Sequence, residues 1–364
     1  YEILDDSRAL GILLEYSRQK DESFRNPTIS LSDTKFNYKT SDVVVGFIGA
    51  GNYASRILIP AFADAGAKLD TLATSGGISG VHHGNKAKFQ TTTTQLDTLW
   101  KNNNINTITI VTKHDMHALQ VIESLNAGKH VFVEKPLALT LDDIDLIDKA
   151  YQKVNNSNMV RLMVGFNRRF APHIIKMKEL LTARTSPKSI IMTINAGPIP
   201  IDHWVQDGLI GGGRIIGEAC HFIDLMCHLV GKNIKSYHAT MIGNAPGIDL
   251  REDKASIVLS FEDGSFGTIH YLANGGSSFP KERIEVFCDD AVLQMDNYRV
   301  LRGYDWSGFN KMRLLKQDKG QKACAKAFID SIRAGEPTPI SYSEIMQSSR
   351  ISIEVSNFLR KSNL

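Results

Sequence analysis

The chain has 364 residues, 42% hydrophobic and 22% charged, with a net charge of +3. That length exceeds one small domain, the apolar content supports packed cores, and the weak positive charge without a long Lys/Arg run argues against nucleic acid as a partner. No apolar stretch approaches the roughly 18 residues of a membrane span, and the four cysteines (Cys220, Cys227, Cys288 and Cys324) form no Cys-x-x-Cys pair, so free thiols in a cytoplasmic protein, with no metal site, are expected.

Residues 1–40 read as an N-terminal extension. A strand-like stretch at 9–16 precedes a polar one, and a lone strand cannot bury itself. The tail of an upstream domain and a linker are expected here. From residue 41 strands and helices alternate: strand 43–48, helix 53–65, strand 68–74, short helix 94–101, strand 107–111, helix 116–127 closed by Gly128, strand 130–133, helix 141–154 and strand 160–165. This alternation predicts an α/β Rossmann domain over 41–168, with a doubly wound parallel sheet. The pattern then changes. Segments 189–196, 236–242, 255–261, 266–273, 283–288 and 291–295 are strand-like, with hairpin turns at 262–265 and at Asp289-Asp290. They predict an α+β second domain over 169–320 with a largely antiparallel sheet, covered on one face by a helix around 221–230. Two last helices, 322–334 and 343–359, make 321–364 a C-terminal segment expected to pack back on the first domain.

The first strand runs into Gly49-Ala50-Gly51-Asn52-Tyr53-Ala54, which fits G-x-G-x-x-[G/A]. Gly49 permits the tight turn, Gly51 lets the backbone approach a pyrophosphate, and Ala54 allows close helix–strand packing. The helix start at Asn52 and Tyr53 offers free N–H groups and the positive end of a dipole to that anion. The second strand ends in Thr74-Ser75, where an NAD site usually carries an acid. Asp70 falls inside the strand. With no acid to repel a 2′-phosphate, and with Ser75, His83, Lys86 or Lys88 at hand, the reading leans slightly to NADP over NAD.

Substrate belongs beyond the carboxyl ends of the parallel strands. Thr112, His114 and His117 follow one strand; Glu134, Lys135 and Pro136 follow another. A lysine there can hydrogen-bond a reacting oxygen and trade its proton. The alternative for Lys135 is a surface salt bridge. Glu134 either holds the cofactor or pairs with a base, and Pro136 fixes the turn, with a cis bond possible. Arg168 and Arg169 offer a bidentate grip on a carboxylate or diphosphate, with an interdomain salt bridge as the alternative for each. Trp204 offers a face for stacking on a sugar, and Arg214 lies in a flanking loop.

The glycine turn, Thr112-x-His114-x-x-His117 (a variant of Thr-Pro-Asn-x-x-His) and Glu134-Lys135-Pro136 resemble the Gfo/Idh/MocA family, as do Gly165-Phe166-Asn167-Arg168-Arg169-Phe170-x-Pro172 and Gly211-Gly212-Gly213-x7-His221-x2-Asp224. The resemblance covers about residues 42–360. It implies a Rossmann domain plus an open antiparallel sheet used for homodimer or homotetramer contacts, and hydride transfer at a sugar or cyclitol carbon. Lys135 would orient the hydroxyl and His221 would act as general base. The chain departs from the family at Gly217, where an Asp is usual. Glu218 and Asp224 are then the acids nearest the imidazole in sequence, with Glu218 within helical reach. Residues 9–16 resemble the last strand of a zinc-type alcohol dehydrogenase, which suggests the C-terminal half of a bi-domain oxidoreductase linked to polysaccharide synthesis. Two other activities stay open within the resemblance: a glycosidase that oxidises its substrate transiently with bound NAD, and a non-catalytic dinucleotide sensor.

Overall fold

Seven strands, β1 (Thr28–Ser30), β2 (Val44–Ile48), β3 (Lys68–Ala73), β4 (Thr91–Thr93), β5 (Thr107–Ile110), β6 (His130–Val133) and β7 (Leu162–Val164), form one sheet in the order β1-β4-β3-β2-β5-β6-β7. All neighbours are parallel except β1 with β4. This computed structural model describes residues 26–33, 36–155, 160–243 and 252–361. The central strand β2 is buried at every position, as a parallel strand covered on both faces must be. The covering helices are α1 (Ile59–Asp64), preceded by a wide π turn at Ala54–Leu58, with α2 (Gly77–Ala87), α3 (Asp97–Lys101), α4 (His117–Asn126) and α5 (Leu141–Asn155).

Parts of this half, the short strand β4 among them, depart from the sequence reading. Residues 28–30, expected in a linker, pair in register with Thr91–Thr93 as an antiparallel edge strand, while the strand-like stretch at 9–16 lies outside the described residues. Helix α2 was not expected; Gly77, Gly80 and Gly84 lower its helix propensity. A Cβ at Gly80 would stand 2.4 Å from Thr92 Oγ1, and one at Gly84 2.4 Å from Leu31 Cδ1. These glycines let the helix lie close to the sheet edge.

The second sheet contains β8 (Ser189–Asn195), β9 (Ile234–Met241), β10 (Lys254–Phe261), β11 (Phe266–Leu272), β12 (Glu282–Cys288), β13 (Ala291–Asp296), β14 (Val300–Tyr304) and β15 (Lys311–Arg313), in the order β15-β14-β13-β12-β8-β11-β10-β9. Only β8 and β11 are parallel. Alternate residues of β10 to β13 are buried, so one face packs and the other is free. The packed face meets α6 (Pro172–Thr182) and α7 (Cys220–Val230). The short strands β14 and β15 were not expected. Nor was α6, although Pro172 in its first turn and apolar Ile174, Met177 and Leu181 carry a helical signal.

Helix α8 (Gln321–Ala334) sends Phe328 and Ile329 into the first core, beside Phe62 and Phe132. Helix α9 (Tyr342–Lys361) puts Ile345 and Ile353 in the first core but Val355 and Leu359 in the second. It therefore bridges the two halves instead of packing on the first alone. No described helix is long and apolar enough to cross a membrane.

Candidate active site

The glycine turn has the geometry of an anion cradle. Gly49 sits at φ +102°, and a Cβ on it would lie 2.5 Å from the carbonyl oxygen of Val111, so no other residue fits. A Cβ on Gly51 would meet nothing within 4 Å. The backbone there is open, as a pyrophosphate requires. Asn52 and Tyr53 are exposed beside it, and Ala54 is buried at the start of the π turn. These residues fit a dinucleotide. At the end of β3, Thr74 turns its hydroxyl onto the Gly76 carbonyl at 2.8 Å and Ser75 is exposed. Asp70 is buried and bonded by Tyr38, Thr71 and Asn102, so it is structural. His83, Lys86 and Lys88 line a separate hollow with Leu69, at the opposite end of β3 from Ser75, and are not placed to supply charge there.

Glu134 closes the floor of this region. Its carboxyl is buried against the Tyr53 hydroxyl and the Lys135 N–H, and burial pushes its pKa up to about 7. Gly165 makes room for it, since a Cβ there would stand 2.6 Å from Glu134 Oε1. The Lys135–Pro136 bond is cis. His117, expected at the cofactor, is fully buried, with Nδ1 2.7 Å from the Pro136 carbonyl and Nε2 3.2 Å from that of Thr112. It ties the two strand-end turns together and touches no open space. Thr112 donates its hydroxyl to Gln120 at 2.8 Å.

A cavity of about 270 Å³ opens beyond these turns, lined by His114, Lys135, Arg168, Ile194, Trp204, Val205, Gly217, Glu218, His221, Phe222 and Lys281. Lys135 and His221, some 86 positions apart in the chain, share its wall. Lys135 Nζ donates to the Gly217 carbonyl at 2.7 Å. That carbonyl belongs to a second π turn, Ile215–Ala219, just ahead of α7; such turns interrupt the regular helical ladder and recur at functional sites. His114, expected at the cofactor, stands in this cavity. Its Nδ1 lies 2.8 Å from the Gly211 carbonyl, and its ring meets Trp204 edge-on at 4.8 Å. Burial and the nearby Lys135 pull its pKa down to about 3. His221 is likewise held well below its ordinary range by burial and by Arg168, Lys135, Lys319 and Lys281. Both rings are therefore neutral at neutral pH.

Several residues expected to touch substrate serve each other instead. Arg169 grips Asp224 through two hydrogen bonds of 2.8 and 2.7 Å and reaches Glu344 of α9 at 2.8 Å, so neither Arg169 nor Asp224 faces the cavity. Arg168 lines the cavity, but its guanidinium is bound bidentately by Glu282 at 2.9 and 3.0 Å. Here the salt-bridge alternative holds. Arg214 is buried and holds both carboxylate oxygens of Glu218 at 3.0 Å. Tyr271 also donates to Glu218, at 2.7 Å. Burial raises the Glu218 pKa, but Arg214 and Tyr271 outweigh it and leave the carboxyl below its usual range. Glu218 therefore does not orient the imidazole, and His221 Nδ1 is buried without a hydrogen-bond partner among the described residues. Trp204 lines the cavity as the stacking role needs. Sequence reasoning missed Lys281, Phe222 and the Glu282–Lys319 pair; no motif marks them.

Two family models match the chain: an oxidoreductase family with an NAD-binding Rossmann fold at residues 43–166, and the GFO/IDH/MocA C-terminal domain at residues 189–294. The chain is 28% identical over 251 residues to myo-inositol 2-dehydrogenase of Thermotoga maritima, covering 65% of this chain and 72% of that one. Four further curated relatives are matched over 44–62% of their own length. Among solved structures, levoglucosan dehydrogenase in complex with NADH and levoglucosan aligns with a TM-score of 0.76 at 19% identity, over 89% of this chain and 98% of that one. UDP-N-acetylglucosamine 3-dehydrogenase from Acidithiobacillus ferrooxidans aligns with a TM-score of 0.74 at 18% identity, over 89% and 99%. At these identities the two structures speak for the fold.

Proposed function

The chain belongs to the Gfo/Idh/MocA oxidoreductase family, and we propose that it transfers hydride between a nicotinamide cofactor and a hydroxyl-bearing carbon of a sugar or nucleotide sugar. The observation that carries this reading is the shared cavity of Lys135 and His221 at the carboxyl ends of the parallel strands, where α/β enzymes place their chemistry. The dinucleotide would be held by Gly49, Gly51, Asn52 and Tyr53, and when bound it supplies the hydride acceptor. The remaining work falls to the protein. Lys135, fixed by the Gly217 carbonyl, hydrogen-bonds the reacting oxygen. Neutral His221 accepts the hydroxyl proton. His114, its Nδ1–H donated to Gly211, offers a second neutral acceptor, and Trp204 packs against the ring face. Named relatives are dehydrogenases, which favours net oxidation over the glycosidase and sensor readings.

The strand end at Thr74-Ser75 carries no carboxylate, which slightly favours NADP(H) over NAD; the relative affinities of the two cofactors decide it. The free face of the second sheet suits a homodimer or homotetramer. The four buried, unpaired cysteines suit a reducing compartment such as the cytoplasm, which fractionation would test. Purified protein mixed with NAD⁺ or NADP⁺ and a panel of sugars, cyclitols and nucleotide sugars should generate reduced-nicotinamide absorbance with at least one member. Cofactor binding without turnover across the panel, or bond cleavage without net reduction, would count against the dehydrogenase reading.

A further inference from the structure

The charges around the cavity do not balance. Five cations, Lys135, Arg168, Arg214, Lys281 and Lys319, stand in its wall or directly behind it, against two carboxylates that bond them, Glu218 and Glu282, and the buried Glu134 behind Lys135, whose charge burial suppresses by raising its pKa to about 7. Arg214 and Glu218 cancel. Glu282 holds both Arg168 and Lys319, so that group keeps one positive charge. Lys135 rests on a carbonyl, and its charge has a use in polarising the reacting oxygen. Lys281 is exposed at the cavity, and among the described residues its ammonium makes no hydrogen bond or ion pair. The pyrophosphate of a dinucleotide would answer none of this, because its cradle is the glycine turn of the other sheet.

We infer that the sugar substrate carries an anionic group, a carboxylate or a phosphate, and that Lys281 is the residue that selects for it. The inference rests on the dehydrogenase reading for the sugar itself, and it narrows that reading to charged sugars. A positive surplus at a partly enclosed cavity favours a ligand that brings counter-charge, and a neutral polyol brings none. The cavity, about 270 Å³, lies near the lower end of small-molecule sites, room for one sugar ring with its charged substituent directed to the Lys281 side. Excess charge of one sign at a cleft also concentrates an oppositely charged ligand there.

Calorimetric titration of the whole chain with D-glucose, D-glucuronate and D-glucose 1-phosphate, each with and without NADH, tests this. At least one anionic sugar should bind about tenfold or more tightly than glucose, and the better of the two separates carboxylate from phosphate. Lys281→Gln should remove most of that advantage and leave NADH affinity unchanged. Equal affinity for all three sugars, no binding of either anionic sugar, or an advantage that survives Lys281→Gln would overturn the inference. Failure to bind NADH would instead overturn the dehydrogenase reading, and the titrations without NADH would still decide the charge preference.

Discussion

Gly217 and His114 compete for one space. A Cβ at 217 would stand 3.0 Å from Cε1 and 3.4 Å from Nδ1 of the His114 ring, so the acid that the family resemblance expects at 217 would press on His114 and require its ring to give way. Gly217 and His114, two of the departures from the family pattern, are therefore in contact, and we expect them to be coupled. Gly217→Asp alone should destabilise the chain by about 1–3 kcal/mol through overpacking, and adding the smaller His114→Asn should recover most of the loss. A urea-unfolding double-mutant cycle measures this; coupling of about 0.5–3 kcal/mol is expected for neighbours, and strict additivity would show that the positions are independent. His221 makes a pH prediction. Because burial and four cations hold its pKa well below the ordinary histidine range, the neutral, proton-accepting form persists as pH falls. The pH profile of kcat/KM should show no loss near the ordinary histidine pKa of about 6.5; a fall there would exclude this environment for the working base. That Lys135 and His221 meet at one cavity was legible, because each sits in a motif with a structural context. The fate of Arg168, Arg169, Arg214 and Glu218 was not, because most of their partners come from distant segments: Glu282, Asp224, Glu344 and Tyr271.

The elements facing the cavity are held by buried charge. Glu282, at the start of β12, is completely buried and binds Arg168 from the end of the first sheet and Lys319 from the approach to α8. Burial would raise its pKa, but Arg168 and Lys319 bring it down to about 2. Its contribution to stability is thus fully present above the unfolded carboxyl pKa, near 4.5, and is lost as pH falls through about 2. Glu282→Ala should cost about 3–5 kcal/mol at neutral pH, because two cations lose their counter-charge, and the variant should lose less of its remaining stability than wild type between pH 4.5 and 2. Denaturant midpoints at several pH values test both; a loss under about 1 kcal/mol would mean the cluster is not a clamp. At this scale the regular elements were readable from periodicity. Helices α2 and α6 and strands β1, β4, β14 and β15 were not. Glycines that permit close packing look like breakers, and three-residue strands have no period to read.

The cavity belongs to neither half alone. His114 and Lys135 come from the Rossmann half and Lys281 and His221 from the second half, while α9 joins both cores and holds the Gly211-Gly212-Gly213 loop through Arg360 and the Gly212 carbonyl. On the opposite side of the second sheet, Phe287, Val292 and Tyr304 line up across three strands by register, with Phe287 and Tyr304 more than 40% exposed. A row of this kind on a free sheet face suits self-association. Light scattering should give a dimer or tetramer, and Phe287→Glu should shift it toward monomer; a monomeric wild type would remove this part of the account. In the proposed reaction Lys135 acts on the reacting hydroxyl inside the shared cavity. The most direct measurement is the steady-state rate and cofactor affinity of Lys135→Met, with the sugar that gives reduced nicotinamide. The rate should fall by about 10²–10⁴-fold, the usual contribution of a positioned proton-transfer group, with cofactor affinity within about threefold of wild type. A near-normal rate in this variant would exclude Lys135 from that role.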